Sequence, residues 1–152
     1  DMSAIVEGVG ELYAPVAEEK GVALFVRGGA ATSIGGNRNL LTQAVANLVD
    51  NAIKYTPRGG RVSVELVSDA GGAAIFVADN GPGIPEADRV SVVERFVRLE
   101  TSRNSPGTGL GLSLVAAVAR FHDGQLELQD NDPGLRAVLR FPRGARTQLA
   151  AE

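Results

Sequence analysis

The chain has 152 residues, 44% hydrophobic and 22% charged, with a formal net charge of -3 and no cysteine. That size and balance suit one globular domain with one core; the acidic total leaves no broad basic surface for nucleic acid, and the missing cysteines exclude disulfides and thiolate metal or redox sites. No apolar run approaches the roughly 20 residues of a membrane span, no signal peptide is visible at Asp1, and the start without an initiator methionine leads to the expectation of a piece cut from something larger.

Taken in chain order, Ser3 to Lys20 is predicted as a helix, with Ser3 as N-cap and Ile5, Val9, Leu12 and Val16 at helical spacing, ended by Gly21. Val22 to Arg27 reads as a short strand, followed by a Gly/Ala/Thr turn and a second short strand near Ile34. Asn37 to Tyr55 is the clearest helix: Leu40, Leu41, Ala44, Val45, Leu48, Val49, Ala52 and Ile53 form an unbroken apolar stripe, and Pro57 with Gly59-Gly60 stops it. Arg61 to Val67 alternates, with Val62, Val64 and Leu66 on one face and Arg61, Ser63 and Glu65 on the other, as a half-buried strand does. Ser68 to Gly72 predicts a hairpin turn, and Ala73 to Ala78 a more deeply buried strand. Residues 80–107 are rich in turn formers and charges, with a short helix expected after Pro85. Thr108 to Phe121 predicts a helix reached through glycines; Leu126 and Leu128, then Ala137, Leu139 and Phe141, mark two strands joined by a turn at Asp130 to Gly134. The expected organisation is one domain, residues 1–142, and a flexible tail, 143–152. The elements sum to a two-layer α/β sandwich, a mixed, mostly antiparallel sheet of about five strands with three helices on one face and water on the other.

Three motifs carry chemistry. The first is Asn47-Leu48-Val49-Asp50-Asn51-Ala52-Ile53-Lys54-Tyr55-Thr56-Pro57. Asn47 and Asn51 share one helix face, with Lys54 and Tyr55 one turn on. An Asn oxygen suits Mg²⁺ that already holds phosphate oxygens and water; Lys54 offers a point charge to phosphate; Tyr55 can pack on a base or ribose. Taken alone, a solvated helix edge is an equal reading. The second motif, Asp79-Asn80-Gly81-Pro82-Gly83-Ile84, follows a buried strand. A carboxylate at that strand end can accept from the exocyclic amine of adenine, where guanine presents a repelling oxygen, and Gly81 and Gly83 let a flat ring approach the backbone. Alone, it reads more readily as a double turn capped by Asp79. The third, Gly107-Thr108-Gly109-Leu110-Gly111-Leu112, opens a helix, where converging N–H groups and the dipole favour an anion. It lacks the βαβ context of a dinucleotide fingerprint and the Lys-Ser/Thr of a P-loop. Alone, a close-packed helix start is favoured. Between Pro85 and Gly107 a long segment carries Arg89, Arg95, Arg98 and Arg103 with Phe96 and Val97, as a charged lid over a triphosphate would or a solvated loop could.

In this order, the motifs resemble the ATP-binding catalytic domain of sensor histidine kinases, in the superfamily that also holds gyrase, heat-shock chaperone and mismatch-repair ATPases. Asn47–Pro57 is similar to the N box, Asp79–Pro85 to the first glycine box, Glu94-Arg95-Phe96-Val97-Arg98 to the phenylalanine box, and Gly107–Leu112 to the second glycine box. The resemblance runs from Ser3 to Phe141 and implies a Bergerat-type ATP-binding fold. It implies ATP and Mg²⁺ as cofactors: Asn51 on Mg²⁺, Asn47 near phosphates and metal, Lys54 on phosphate, Tyr55 beside the nucleotide, Asp79 on the adenine amine, and Gly81, Gly83 and Ile84 lining the base pocket. Gly107, Thr108, Gly109, Leu110, Gly111 and Leu112 would shape the phosphate side and lid hinge, Arg98 and Arg103 would reach the triphosphate, and Phe96 would anchor the lid.

Two departures stand out. Asn37 occupies a place where the family often has Asp, to which little functional weight attaches. The phosphoacceptor histidine is not in the chain: His122, the single histidine, resembles the family's His-x-Gly helix stop and is expected to be structural. Hydrolytic relatives carry Glu at the place of Asn47, and an amide cannot serve as general base. The resemblance therefore implies slow hydrolysis and transfer of the γ-phosphoryl to a histidine on a separate dimerisation and phosphoacceptor helical hairpin, in a two-component pathway with a response regulator downstream. The implied setting is cytoplasmic, within a dimeric kinase that can be membrane-anchored, with the isolated domain monomeric. The alternative is an anti-sigma-factor-like serine kinase, which has similar boxes; a degenerate scaffold is opposed by intact Asn51, Asp79 and glycines.

Overall fold

In a computed structural model, residues 2–29, 34–69, 71–81, 110–131 and 133–142 are described, and they form α1 (Met2–Lys20), β1 (Ala23–Arg27), α2 (Arg38–Tyr55), β2 (Arg61–Asp69), β3 (Gly72–Asp79), α3 (Leu110–Phe121), β4 (Gln125–Asp130) and β5 (Leu135–Pro142). The helix expected after Pro85, the segment up to Gly109 and the tail from Arg143 lie outside these residues.

α1 starts at Met2, and Ser3 is a buried residue inside it instead of its cap, because Met2 is drawn into the core at 1% exposure. The expected stripe is half right. Ile5 and Val9 are buried with Met2, Val6 and Ala17, but Leu12 and Val16 are 63% and 44% exposed. Gly10 explains the rotation. It faces the edge strand so closely that a Cβ there would lie 2.7 Å from Val26 Cγ2. Two residues are about 200° apart round a helix, so Leu12 points away from the side that Gly10 presents to β1. Gly21, at φ +82°, ends α1 as expected: its N–H donates to Glu18 O and that of Val22 to Ala17 O, with buried Val22 and Ala17 completing the Schellman arrangement.

α2 is capped by Asn37, whose Oδ1 accepts from Leu40 N at 3.0 Å. Asn serves this role as well as Asp, which accounts for the departure at that position. Ile34 itself is not in a strand, and residues 30–33, where the rest of the expected short strand would fall, lie outside the described residues. The Ile34 side chain packs on the core, but Gly35 and Gly36 follow, and β1 ends the sheet with β2 as its single neighbour among the described residues.

The five strands run in the order β1-β2-β3-β5-β4. β1 pairs parallel with β2, which requires a crossover, and α2 supplies it; all other pairs are antiparallel. α1 packs on β1 and β2, α2 on β2 and β3, and α3 on β4 and β5, with α2 also touching α1 and α3. Val62, Val64 and Leu66 sit beneath the helices as the alternation requires. The other face is open and laced by charge: Arg27 pairs with Glu65 at 3.8 Å, Arg140 with Glu127, and Arg136 lies 4.6 Å above the Phe76 ring. The helix-covered mixed sheet is the expected two-layer sandwich.

α3 ends in a second Schellman arrangement. Asp123 N donates to Arg120 O and Gly124 N to Ala119 O, with Asp123 in the left-handed region at φ 61°. His122, fully buried, ties this end to α2. Its Nδ1 donates to Val118 O at 2.8 Å and its Nε2 accepts from Asn37 N at 3.0 Å, which fixes the tautomer. The structural role expected of His122 is thus a bond across helices: it holds the residue that caps α2.

Candidate functional site

Asp79 ends β3, the strand buried on both sides by β2 and β5. Its side chain is 6% exposed, and Oδ1 accepts from Gly81 N at 2.9 Å and Leu135 N at 3.2 Å. Among the described residues no group donates to Oδ2, so a buried carboxylate oxygen keeps its acceptor capacity free. Burial pushes the carboxyl above the usual carboxylate range, against the opposing pull of the two backbone N–H groups. An unpaired buried oxygen is costly in isolation, and a ligand amine is the group that would satisfy it.

The helix end carrying the first motif meets this strand end. A Cβ on Gly81 would stand 2.6 Å from Tyr55 O and 3.3 Å from Thr56 Cα, so glycine is what lets the two backbones touch. Asn80 Oδ1 accepts from Arg61 N at 2.7 Å, and a Cβ on Gly60 would crowd both Asn80 and Thr56. Thr56 is fully buried; its hydroxyl donates to Ala52 O at 2.6 Å. The turn after α2 is therefore stitched to the start of the second motif, which brings Tyr55 beside the Asp79–Gly81 segment.

Further up α2, Asn47 and Asn51 are half-buried, flanking the fully buried Leu48, Val49, Ala52 and Ile53. They occupy the border strip expected of them. The Lys54 ammonium pairs with Asp50 Oδ2 at 3.2 Å, one turn back on its own helix. Phosphate would have to take it from that pair. The end of α2 is secured by a residue that sequence reasoning passed over. Lys20, at the end of α1, donates from Nζ to Ile53 O at 2.8 Å and also to Lys54 O, adding to the bond that Thr56 N makes to Ile53 O and tying the carbonyl end of α2 to α1. Burial pushes the Lys20 ammonium below its ordinary range.

The third motif is described from Leu110, the first residue of α3; Leu112 is buried against the core. α3 packs on α2, the helix carrying Asn47 and Asn51. Gly83, Ile84, Phe96, Arg98, Arg103, Gly107, Thr108 and Gly109 lie outside the described residues. Among the described residues no cluster of His, Cys, Asp or Glu could hold a metal ion. No helix of the described residues is long and apolar enough to cross a membrane.

Comparison with known proteins agrees with this geometry. The profile of the family described as "Histidine kinase-, DNA gyrase B-, and HSP90-like ATPase" matches residues 36–145, spanning the α2 and Asp79 motifs and the third helix. The signal transduction histidine-protein kinase/phosphatase MprB of Mycobacterium sp. (strain KMS) is 50% identical over 95 residues, 62% of this chain, and the chain spans 18% of that protein's length. The solved structure of a mycobacterial sensor histidine kinase MprB superposes with TM-score 0.78 at 33% identity, over 93% of this chain and 94% of that one. Full-length ShkA, solved in complex with AMPPNP, is 29% identical with TM-score 0.77, over 96% of this chain and 30% of that one. A buried carboxylate at the end of a strand, the asparagine strip on the adjoining helix, and these matches together place the chain in the histidine kinase-, DNA gyrase B- and HSP90-like ATPase family, as an ATP-binding domain of the sensor histidine kinase type.

Proposed function

We propose that this domain binds Mg-ATP and donates the γ-phosphoryl group to a histidine on a separate dimerisation and phosphoacceptor hairpin of a two-component sensor kinase. The observation that carries it is Asp79: a buried carboxylate with one oxygen held by two backbone N–H groups and the other without a donor among the described residues. That second oxygen accepts from the adenine amine; Gly81, Gly83 and Ile84 line the ring, and Tyr55 lies beside the nucleoside. Asn51 ligates Mg²⁺ held by the phosphates, with Asn47 near both, and Lys54 exchanges Asp50 for phosphate. Phe96, Arg98, Arg103 and the run from Gly107 to Leu112 close over the triphosphate. In the transfer, the bond from the bridging oxygen to the γ-phosphorus breaks, ADP leaves with that oxygen, and the acceptor imidazole nitrogen forms the new bond to phosphorus. Positioning and charge neutralisation supply most of what this step needs. Asn47 offers no base to activate water, so the phosphoryl is kept for the acceptor.

Residues 1–142 carry this activity and 143–152 a tail. A response regulator receives the phosphoryl next, and the setting is the cytoplasmic part of a larger kinase. Titration of the domain with Mg-ATP and with inosine triphosphate, followed by phosphotransfer to a separately made phosphoacceptor hairpin, tests the proposal. ATP preference with a phosphohistidine product supports it. Rapid steady-state hydrolysis by the domain alone, or phosphoserine on a partner instead, overturns the histidine kinase reading.

A further inference from the structure

We infer that the turn between β4 and β5, through Asn131, Gly134 and Leu135, positions Asp79 and thereby sets base selectivity; this rests on the ATP reading above. Asp79 lies past the end of one of its ladders. β3 pairs with β5 only up to Ala78 opposite Arg136, so on that side the strand no longer dictates where Asp79 points. The turn takes over at three atoms. Leu135 N donates to Asp79 Oδ1 at 3.2 Å, and Asn131 Nδ2 donates to the Asp79 main-chain oxygen at 2.8 Å. Gly134, at φ +112°, is pressed on the same peptide: a Cβ there would overlap Asp79 O and stand 2.9 Å from Asn80 Cα. Asn131 N donates to Gly134 O at 3.1 Å, closing the turn so that these contacts move together.

The consequence is directional. With Oδ1 committed to Leu135 and Gly81, the carboxylate has one way to face, and Oδ2 is the oxygen left for a ligand. The Asn131 bond fixes the peptide plane following Asp79, and with it the segment running to Gly81. The described contacts of Asn131 go to Asp79 and Gly134 and to none of Asn47, Asn51 or Lys54. Asn131 is thus a positioning residue for reading the base, with no hold on the phosphate side.

The test compares ATP with inosine triphosphate, which carries an oxygen in place of the 6-amino group, by titration calorimetry with Mg²⁺ present. Asn131→Ala is expected to weaken ATP about 5- to 10-fold, the loss of roughly one hydrogen bond, while leaving inosine triphosphate within twofold. In the Asp79→Asn background, Asn131→Ala is expected to change ATP no further, as two residues acting through one contact require. Asn131→Asp keeps the size and removes the donor, and is used in the same way if the alanine variant does not fold. An equal weakening of both nucleotides, or an unchanged ATP affinity, overturns the positioning role while a collapsed ratio in Asp79→Asn leaves the ATP reading standing. An unchanged ratio in Asp79→Asn overturns base reading by Asp79 and this inference with it.

Discussion

Replacing Asp79 by Asn should separate binding from stability in opposite directions. The two N–H groups of Gly81 and Leu135 both point at Oδ1, and only an oxygen can accept them. The introduced amide must therefore keep its oxygen there and put its NH₂ where Oδ2 was. A donor then faces the adenine amine, another donor. A hydrogen bond to a charged group contributes about 1.5–3 kcal/mol, so its loss alone weakens ATP by about 10- to 150-fold, and inosine triphosphate, with an oxygen at that place, should gain relative to ATP. The fold responds otherwise. Burial raises the Asp79 pKa, so ionised Asp79 costs the folded protein stability that an uncharged amide does not. The nucleotide-free variant should melt no lower than wild type at neutral pH. The sign with pH follows. The folded protein holds the Asp79 proton more tightly than the unfolded chain, so from about pH 4, the ordinary carboxylate pKa, up to the raised value, stability falls as pH rises. On acidification through that window wild type should recover stability relative to Asp79→Asn. Calorimetric titration gives the affinities, and thermal melts of both proteins across pH give the difference. ATP binding within threefold of wild type, or a stability gap that moves the other way with pH, refutes the reasoning.

Asp123→Gly removes a left-handed non-glycine residue and a negative charge from the end of α3 and should stabilise by about 0.5–1 kcal/mol, a rise in melting temperature of about 1–4 °C; a lower melting temperature refutes this. Lys20→Met strips the ammonium from the carbonyls of Ile53 and Lys54 and should cost about 1–2 kcal/mol in urea denaturation, with Lys20→Arg intermediate. His122→Ala loses both ring hydrogen bonds and leaves a cavity, for about 2–4 kcal/mol by the same assay. Because His122 is fully buried with both nitrogens engaged, the domain incubated with Mg-ATP alone should acquire no acid-labile phosphate, checked by radiolabel retention after alkaline and acid washes.

What the sequence made legible follows from the range of the forces involved. α2 and the β2–β3 hairpin were readable because burial repeats along each element itself: the stripe through Leu41, Val45, Leu48 and Val49, and the alternation through Val62, Val64 and Leu66, are local patterns that the core preserves. The misread places are those where a distant neighbour decides. The face of α1 is set by Gly10 against Val26 of another element, so the stripe that carries Ile5 and Val9 inward leaves Leu12 and Val16 outside. The candidate site divides along the same line. Asp79 stands out because a carboxylate following an apolar strand and preceding Gly81 is unusual chemistry for a core edge. Its supports do not stand out: Asn131 and Gly134 read as an ordinary turn, and Lys20 as the last residue of a helix. Each matters through a bond across more than thirty residues of chain, 52 from Asn131 to Asp79 and 33 from Lys20 to Ile53. A motif records the groups that touch a ligand. The residues that aim those groups answer to geometry alone: any turn able to present an N–H to Oδ1 and an amide to the Asp79 carbonyl would serve, so no fixed spelling of the turn is needed. Variation in base preference among such domains should therefore trace to the β4–β5 turn as well as to the motifs, and exchanging that turn between two domains of different ATP preference, with Asp79 retained in both, should carry the preference with it.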